Sequence, residues 1–591
     1  MSAPAEAPDA RAADRAARLA AQREFSRPLV LEAGAGTGKT TTLVARILSW
    51  GLGPGWERSR ARLTRPSLPG SPVSPIPAEP TIEHIAADVL LGVVAITFTE
   101  AAAAEMADRV AEDLARIAGG FGELPSWLDP GLLPPGPERV ARARALVGTL
   151  DHLAVRTIHA FCRGLLATYP LEAGRHPSLT VDADGRLLEA IAREVVEARL
   201  REGYGDPGDP DLLALAAGGF GPPEILEALL ILAGEGLPAA VLAEDPFAPE
   251  PVAALGRRLG EAASRLQALL AAHPGGSRQR GNLPAIESGI GTLLGRLAEG
   301  IPDLPTLLAW VAALLPGNLA DHVKKWSKGE LSSQAERERL GGVVGPLATA
   351  AGALCRLLSH LERLDPALLG AARRALGPLL GQVEAELQAR GVATFQSLLA
   401  GAAALLAGHA EVRTRVRRGI DQLLVDEFQD TDLLQCEILR LLALDGPRDE
   451  RPGLFLVGDP KQSIYGWRNA DLRAYDGFVD LVKREGGEVQ PLVENFRSVP
   501  AILEEVARVI EPVMREQSGL QPRFQPLLPC AAKAALPGFH KGDIGGIGEA
   551  GPNRRSLRPR RPVEYWVSWK AEGDPGETLA RTRPGAAAEL E

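Results

Sequence analysis

Lys39 closes a run whose composition and spacing suit phosphate. Ala33-Gly34-Ala35-Gly36-Thr37-Gly38-Lys39-Thr40 follows the apolar stretch Leu29–Leu31 and leads into a helical pattern over Thr40–Trp50. Glycines let the backbone turn so that successive N–H groups point inward at phosphate oxygens, and the helix N-terminus adds its positive dipole end. Lys39 can then reach β- and γ-phosphates, and the Thr40 hydroxyl can hold Mg²⁺. Ala33 is small enough for the turn. Strand, spacing and terminal Lys-Thr together favour a nucleoside triphosphate over a glycine-rich turn that binds nothing.

A carboxylate pair supplies what such a loop needs. In "DQLLVDEFQDTDLLQ" an apolar strand, Leu423–Val425, delivers Asp426 and Glu427 to its C-terminal end, where ligands bind in open α/β sheets. Asp426 suits a Mg²⁺ ion through its water shell, and Glu427 suits orienting and deprotonating an attacking water. Asp430 and Asp432 fit capping of the following helix. Acid pairs after strands also arise by chance, so this motif alone decides nothing. Lys39 and Asp426 stand 387 positions apart, a gap that a large insertion between them explains.

A third stretch, "LFLVGDPKQSIYGWRNADL" (454–472), sets Tyr465 and Trp467 in a polar turn of a chain only 4% aromatic. Core packing is the ordinary reason for such rings.

These residues need a sheet to position them. Strand-like apolar runs occur at Leu29–Ala33, Val93–Thr97 and Val155–Ile158, then again at Gln422–Val425 and Leu454–Val457. Each is short and bounded by glycine or a charged turn, as expected of buried parallel strands. Helical patterns such as Glu100–Ile117 fill the gaps, which predicts an α/β doubly wound sheet. Residues 181–410 instead carry apolar residues at helical spacing, with no convincing strand. They read as a helical insertion of roughly 230 residues. Residues 51–80 and 531–562, rich in Pro, Gly, Ser or Arg, read as loose surface segments. The run "NRRSLRPRRP" reads as a solvated linker, with phosphate contact as the alternative.

With 591 residues the chain is expected to hold two to four domains. Its net charge of −10 slightly disfavours a surface that binds nucleic acid throughout, though a local groove suffices. The four cysteines have no Cys-x-x-Cys spacing, which excludes the usual zinc and iron–sulfur motifs and implies a reducing compartment. The N-terminus has no apolar signal core, and the longest weakly apolar stretch, Gly341–Cys355, falls short of a membrane span. A cytoplasmic protein without membrane contact is expected.

Six motifs in order resemble those of superfamily 1 DNA helicases of the UvrD/RecB/AddA type: AGAGTGKT (motif I), "AITFTEAAAAEMADRV" (95–110, Ia), "TIHAFCRGLL" (157–166, Ib), "DEFQDT" (426–431, II), "VGDPKQSIYGWRNAD" (457–471, III) and "ENFRS" (494–498, IV). "YPLEAGRHP" is similar to the RecB and AddA branch. The resemblance implies a RecA-like motor domain in two parts (1–180 and 411–490), the helical insertion (181–410), and the opening of a second motor domain (491–591), with the helicase ATP-binding region covering about 2–499. It implies that Gln462 senses the γ-phosphate, that Gln429 couples nucleotide state to the DNA site, that Phe496 stacks on adenine, and that Arg497 reaches the γ-phosphate. It implies single-stranded DNA contacts at Phe98, Thr157, His159, Tyr465, Trp467 and Arg468. Base stacking ignores sequence and is worth roughly 1–3 kcal/mol per base, which suits a motor that must grip any base.

Three departures stand out. Gln22 lies too near the phosphate loop for the family's adenine-reading glutamine, Ala101 replaces a lysine, and nothing resembles motifs V and VI. The expected activity is ATP-dependent 3′–5′ DNA translocation or unwinding in recombinational repair. ATP and Mg²⁺ are the expected cofactors, DNA with a single-stranded 3′ tail the substrate, and a nuclease or helicase subunit the partner. A truncated second motor domain leaves one rival, a module that binds ATP and DNA without turnover. An unrelated P-loop kinase does not account for motifs Ia, III and IV.

Overall fold

The computed structural model describes residues 7–64, 80–120, 123–203, 209–274, 283–301, 303–314, 318–464, 466, 470–517 and 519–534. It divides into two compact units, Met1–Leu179 with Leu398–Glu591, and Thr180–Ser397.

The first unit is built on a six-stranded sheet. Its strands are β1 (Leu29–Ala33), β2 (Val93–Thr97), β3 (Ala154–Thr157), β6 (Gln422–Val425), β7 (Gly453–Gly458) and β8 (Glu488–Leu492). They lie in the order β3-β2-β6-β7-β1-β8, and every pairing is parallel. Strand residues alternate between two faces. Leu29, Leu31, Ala33, Val93, Ala95, Leu424, Phe455, Val457 and Leu492 share one core with α1 (Ala7–Arg23), α2 (Lys39–Leu52), α4 (Ile82–Leu91) and α5 (Glu100–Gly119). Val30, Ile96, Leu423, Val425, Leu454 and Leu456 are buried as well. Burial on both faces is why these strands read as continuous apolar runs rather than alternating ones. Because all six run the same way, their C-terminal ends bring the phosphate loop, Phe98, Thr157, Asp426 and Asp459 to one edge.

Several sequence expectations change. β8 was not anticipated, since Pro491 and Glu488 disguise it; as an edge strand it tolerates a residue without an N–H. Residues 54–63 are a helix rather than a loop, α3 (Pro54–Leu63), started by Pro54 in its first turn and anchored by buried Trp56. Ala531–Ala534 likewise form a short helix; 65–79 and 535–562 lie outside the described residues. A second two-stranded sheet pairs β9 (Glu494–Asn495) with β10 (Leu528–Pro529).

The second unit is mostly helical, with two cores. One gathers helices from Pro249–Ala272 to Val344–Glu362; the other gathers Arg186–Gly203, Pro222–Gly234 and Pro366–Ala389. Strands do occur here: β4 (Thr180–Val181) pairs in parallel with β5 (Val392–Ala393). Two residues each are too few to leave a periodic signature. The apolar run also proves longer than expected. Gln334–Arg363 is, by length and composition, sufficient to cross a membrane. Its Leu340, Leu347, Ala351, Leu354, Leu358 and Leu361 nevertheless pack into the core of this unit.

Candidate functional site

The phosphate loop hangs between β1 and α2. Gly36 and Gly38 take positive φ of 74° and 84°, a region open to glycine at no steric cost. The Thr37 hydroxyl and N–H both donate to the Gly34 carbonyl, at 2.8 and 3.3 Å, which closes the turn. Lys39 and Thr40 open α2. The Lys39 ammonium reaches across 388 positions to the Glu427 carboxylate at 2.5 Å.

Glu427 is the only described non-glycine residue with positive φ, at 50°. The left-handed region costs such a residue roughly 1–2 kcal/mol, so its neighbours must hold it there. Its N–H donates to Asp426 Oδ1 at 2.9 Å, and its carboxylate accepts from Lys39 and from Gln429 Nε2 at 2.8 Å. Burial first, and then the Glu427 charge, push the Asp426 carboxyl up to about 6. The same two causes push Asp430 up to about 6, and its Oδ1 is buried without a hydrogen bond. Asp432, not Asp430, caps the next helix, accepting the Gln435 N–H at 2.8 Å. The expectation that both acids cap fails because Asp430 falls inside a 3-10 turn (Phe428–Asp430).

Gln429 is almost fully buried and ties two strand ends together. Its Oε1 accepts the Asp459 N–H at 2.8 Å while its Nε2 serves Glu427. Ser463 adds a bond to the Gln429 carbonyl at 3.1 Å. Asp459 in turn accepts from Gln462 Nε2 at 2.6 Å and from Lys461 Nζ at 2.8 Å. A continuous polar chain thus joins Lys39, Glu427, Gln429, Asp459 and Gln462. Tyr465, Trp467 and Arg468 lie outside the described residues.

The ENFRS segment meets the loop from the other side. Phe496 N–H donates to the Gly36 carbonyl at 2.8 Å, and Asn495 Nδ2 donates to the Ala35 carbonyl at 2.6 Å. Asn495 Oδ1 accepts the N–H groups of Arg497 and Ser498, at 2.9 and 2.7 Å. A Cβ on Gly36 would sit 2.8 Å from Arg497 Cβ, so this approach needs glycine. Phe496 remains 47% exposed. Sequence reasoning passed over Asn495 and, on α1, Asp14 and Arg18. Asp14 is fully buried and accepts the N–H groups of Val493 and Glu494 at 2.7 and 2.9 Å. Only the contact across 479 positions reveals it. Gln22, which was given no role, bonds the Trp127 carbonyl and the Asp129 N–H, both at 2.8 Å.

Further along the same edge, Phe98 is half-buried after β2. The Thr157 hydroxyl caps the helix Ile158–Thr168 and donates to Glu100 at 2.9 Å. His159 is held below the usual imidazole range by burial, against the opposing charge of Asp432. These three cluster at β2 and β3, separated from the phosphate loop by β6 and β7.

Among the described residues no group of three or more His, Cys, Asp or Glu is placed to hold a metal ion by itself. The residues expected to hold a cation are only two, Thr40 through its hydroxyl and Asp426 through its carboxylate. That suits Mg²⁺, which keeps several waters and takes the rest of its ligands from substrate phosphates. A carboxyl raised by burial is also one that a cation would relieve.

Comparison with known proteins gives the chain's relatives. The family model described as UvrD/REP helicase N-terminal domain matches residues 14–206 and 319–483. An ATP-dependent helicase/nuclease subunit of Syntrophomonas wolfei is 27% identical over 524 residues, 83% of this chain and 37% of that protein. Its namesake in Geobacillus kaustophilus is 28% identical over 557 residues, 83% of this chain and 39% of that protein. The RecBCD enzyme subunit RecB of Chlamydia muridarum is 40% identical over 113 residues, 19% of this chain and 10% of that protein. The chain spans less than half the length of these relatives. With more than half of its own residues matched by one family model, the chain belongs to the UvrD/REP helicase N-terminal domain family.

Proposed function

We propose that the chain is the nucleotide-binding motor part of an ATP-dependent DNA helicase that moves 3′ to 5′ along single-stranded DNA in recombinational repair. The observation that carries this reading is the buried Gln429, bonded at once to Glu427 beside the phosphate loop and to Asp459 ahead of the motif III turn. A rearrangement at one end must be felt at the other, because a buried amide left without partners costs ~1–3 kcal/mol.

In this reading ATP's phosphates take Lys39 away from Glu427. The freed carboxylate then orients and deprotonates the attacking water. Thr40 and Asp426 hold Mg²⁺, which offsets negative charge on the phosphate oxygens. Gln462 follows the γ-phosphate, Arg497 stabilises the charge that develops there, and Phe496 stacks on the adenine. Phe98, Thr157, His159, Tyr465, Trp467 and Arg468 line the DNA track. Residues 1–180 and 411–490 form the motor domain, 181–410 an insertion, and 491–591 belong to a second motor domain. A cytoplasmic setting and a partner nuclease or helicase complete the proposal.

Fluorescence anisotropy of labelled oligonucleotides tests it. Affinity for a 3′-tailed DNA should differ several-fold between ADP and a non-hydrolysable ATP analogue, and Lys39→Ala should erase the difference. Equal DNA affinity in every nucleotide state would contradict coupling and favour a module that binds without turnover.

A further inference from the structure

Glu32 stands one residue before the phosphate loop. Its neighbours Leu31 and Ala33 belong to the core shared with α1, so strand alternation turns Glu32 to the opposite face of the sheet. There it is half-buried, in register with Gly458 of β7 and Pro491 of β8. Its Oε1 accepts the Tyr475 hydroxyl at 3.4 Å. Tyr475 belongs to the helix Leu472–Arg484 and is buried, its ring 5.4 Å from that of Phe428, the residue between Glu427 and Gln429. Burial first, and then the Glu32 charge, raise the tyrosine hydroxyl well above its usual value, so it stays a donor at working pH. Gly458 leads directly into Asp459, whose carboxylate accepts from Lys461 Nζ at 2.8 Å and from Gln462 Nε2 at 2.6 Å. The Lys461 side chain is only 13% exposed. Burial raises the Glu32 carboxyl above the usual carboxylate range, and the Lys461 charge opposes that rise more than the Tyr475 bond does.

We propose that Glu32 is a positioning residue for Gln462, acting through Lys461 and Asp459. The inference rests on the reading that the loop binds ATP and that Gln462 follows its γ-phosphate. Two carboxylates share a single, poorly solvated ammonium, which pairs with Asp459 and is drawn toward Glu32 as well. That fixes where the Asp459 carboxylate stands beside the loop, and Asp459 holds the Gln462 amide. Gln429 reaches the Asp459 backbone from the end of β6. Glu32 acts on the Asp459 side chain from β1, so two strands hold the anchor of Gln462. The charge balance makes this role separable from packing. Without the ammonium, two carboxylates face each other out of water, and one must move or take up a proton. Asp459, at a strand end, has more freedom to move than Glu32, which lies between two strands and keeps the Tyr475 hydroxyl. Gln462 then loses its place. Removing the Glu32 charge as well ends the repulsion.

The test compares a non-hydrolysable ATP analogue with ADP, which lacks the γ-phosphate. Calorimetry on the full chain should show Lys461→Met weakening the analogue roughly fivefold or more while ADP stays within about twofold. Glu32→Gln, which keeps an acceptor for Tyr475, should alone weaken the analogue no more than about twofold. Added to Lys461→Met, it should restore the analogue to within roughly twofold of the parent. A lost packing contact would not be repaired in this way. Should Lys461→Met fail to fold, Tyr475→Phe provides a second comparison: the ring stays against Phe428, and the analogue alone should weaken by about twofold to threefold. A double variant as weak as Lys461→Met, or weaker, would overturn the inference. So would equal losses for the analogue and ADP, which would make these residues supports of the loop itself. If analogue binding by the unaltered protein does not depend on Lys39, the nucleotide reading fails and this inference with it. If Lys39-dependent binding holds and the preference for the analogue over ADP ignores Lys461 and Glu32, only this inference falls.

Discussion

Replacing Asp426 by asparagine should make the protein more stable while removing a group assigned to the reaction. The change is isosteric, so it leaves the packing at the end of β6 alone. Burial and the neighbouring Glu427 charge push the Asp426 carboxyl from 3.8 to about 6. A carboxyl raised in the folded state binds a proton there that the unfolded chain releases. Its contribution is therefore most favourable below 3.8 and is lost as pH rises from 3.8 to about 6. At neutral pH the charged form costs the fold roughly 2–3 kcal/mol. The pull of Lys39 is already contained in the raised value, so asparagine, which stands in for the neutral acid, should gain up to roughly 2–3 kcal/mol. Urea denaturation in EDTA at about pH 7.5 and about pH 4.5, on either side of the raised carboxyl, measures it. The gain should appear at the higher pH and shrink to well under half at the lower. Adding Mg²⁺ at the higher pH should stabilise the parent and narrow the gap. A variant no more stable than the parent at the higher pH, or a difference that ignores pH, would refute the reasoning.

Gly36→Ala should abolish ATP binding in calorimetry, since it combines a φ of 74° with a Cβ 2.8 Å from Arg497 Cβ and Asn495 Nδ2. Asn495→Ala removes the bond to Ala35 and the acceptor for two N–H groups; a loss of ~1–3 kcal/mol in urea denaturation, with weakened ATP binding, is expected. Gln429→Ala strands the Asp459 N–H. It should keep Lys39-dependent ATP binding while losing the nucleotide dependence of DNA affinity, read by anisotropy.

The strands β1, β2 and β6 were legible to the residue because each is a short apolar run closed by a glycine or charge, and the turn between β1 and α2 because its glycines and helix start fall within eight residues. Asp426 and Glu427 were legible as the end of such a strand. What stayed hidden depends on contacts between distant segments. Nothing local marks Asp14 as the acceptor for Val493 and Glu494, or Asn495 as a ligand of the loop backbone. Pro491 concealed β8, and Pro54 made a helix start look like a loop. Asp430 and Asp432 have the same side chain two positions apart; the 3-10 turn, not composition, decides which one caps.

Hydrolysis of ATP at this site in response to DNA is the central claim. The most direct measurement is steady-state ATP hydrolysis with and without single-stranded DNA, for the parent chain and Glu427→Gln. Turnover should rise with DNA and fall by at least roughly 10²-fold in the variant, with ATP still bound. DNA-independent turnover, or a variant as active as the parent, would contradict it.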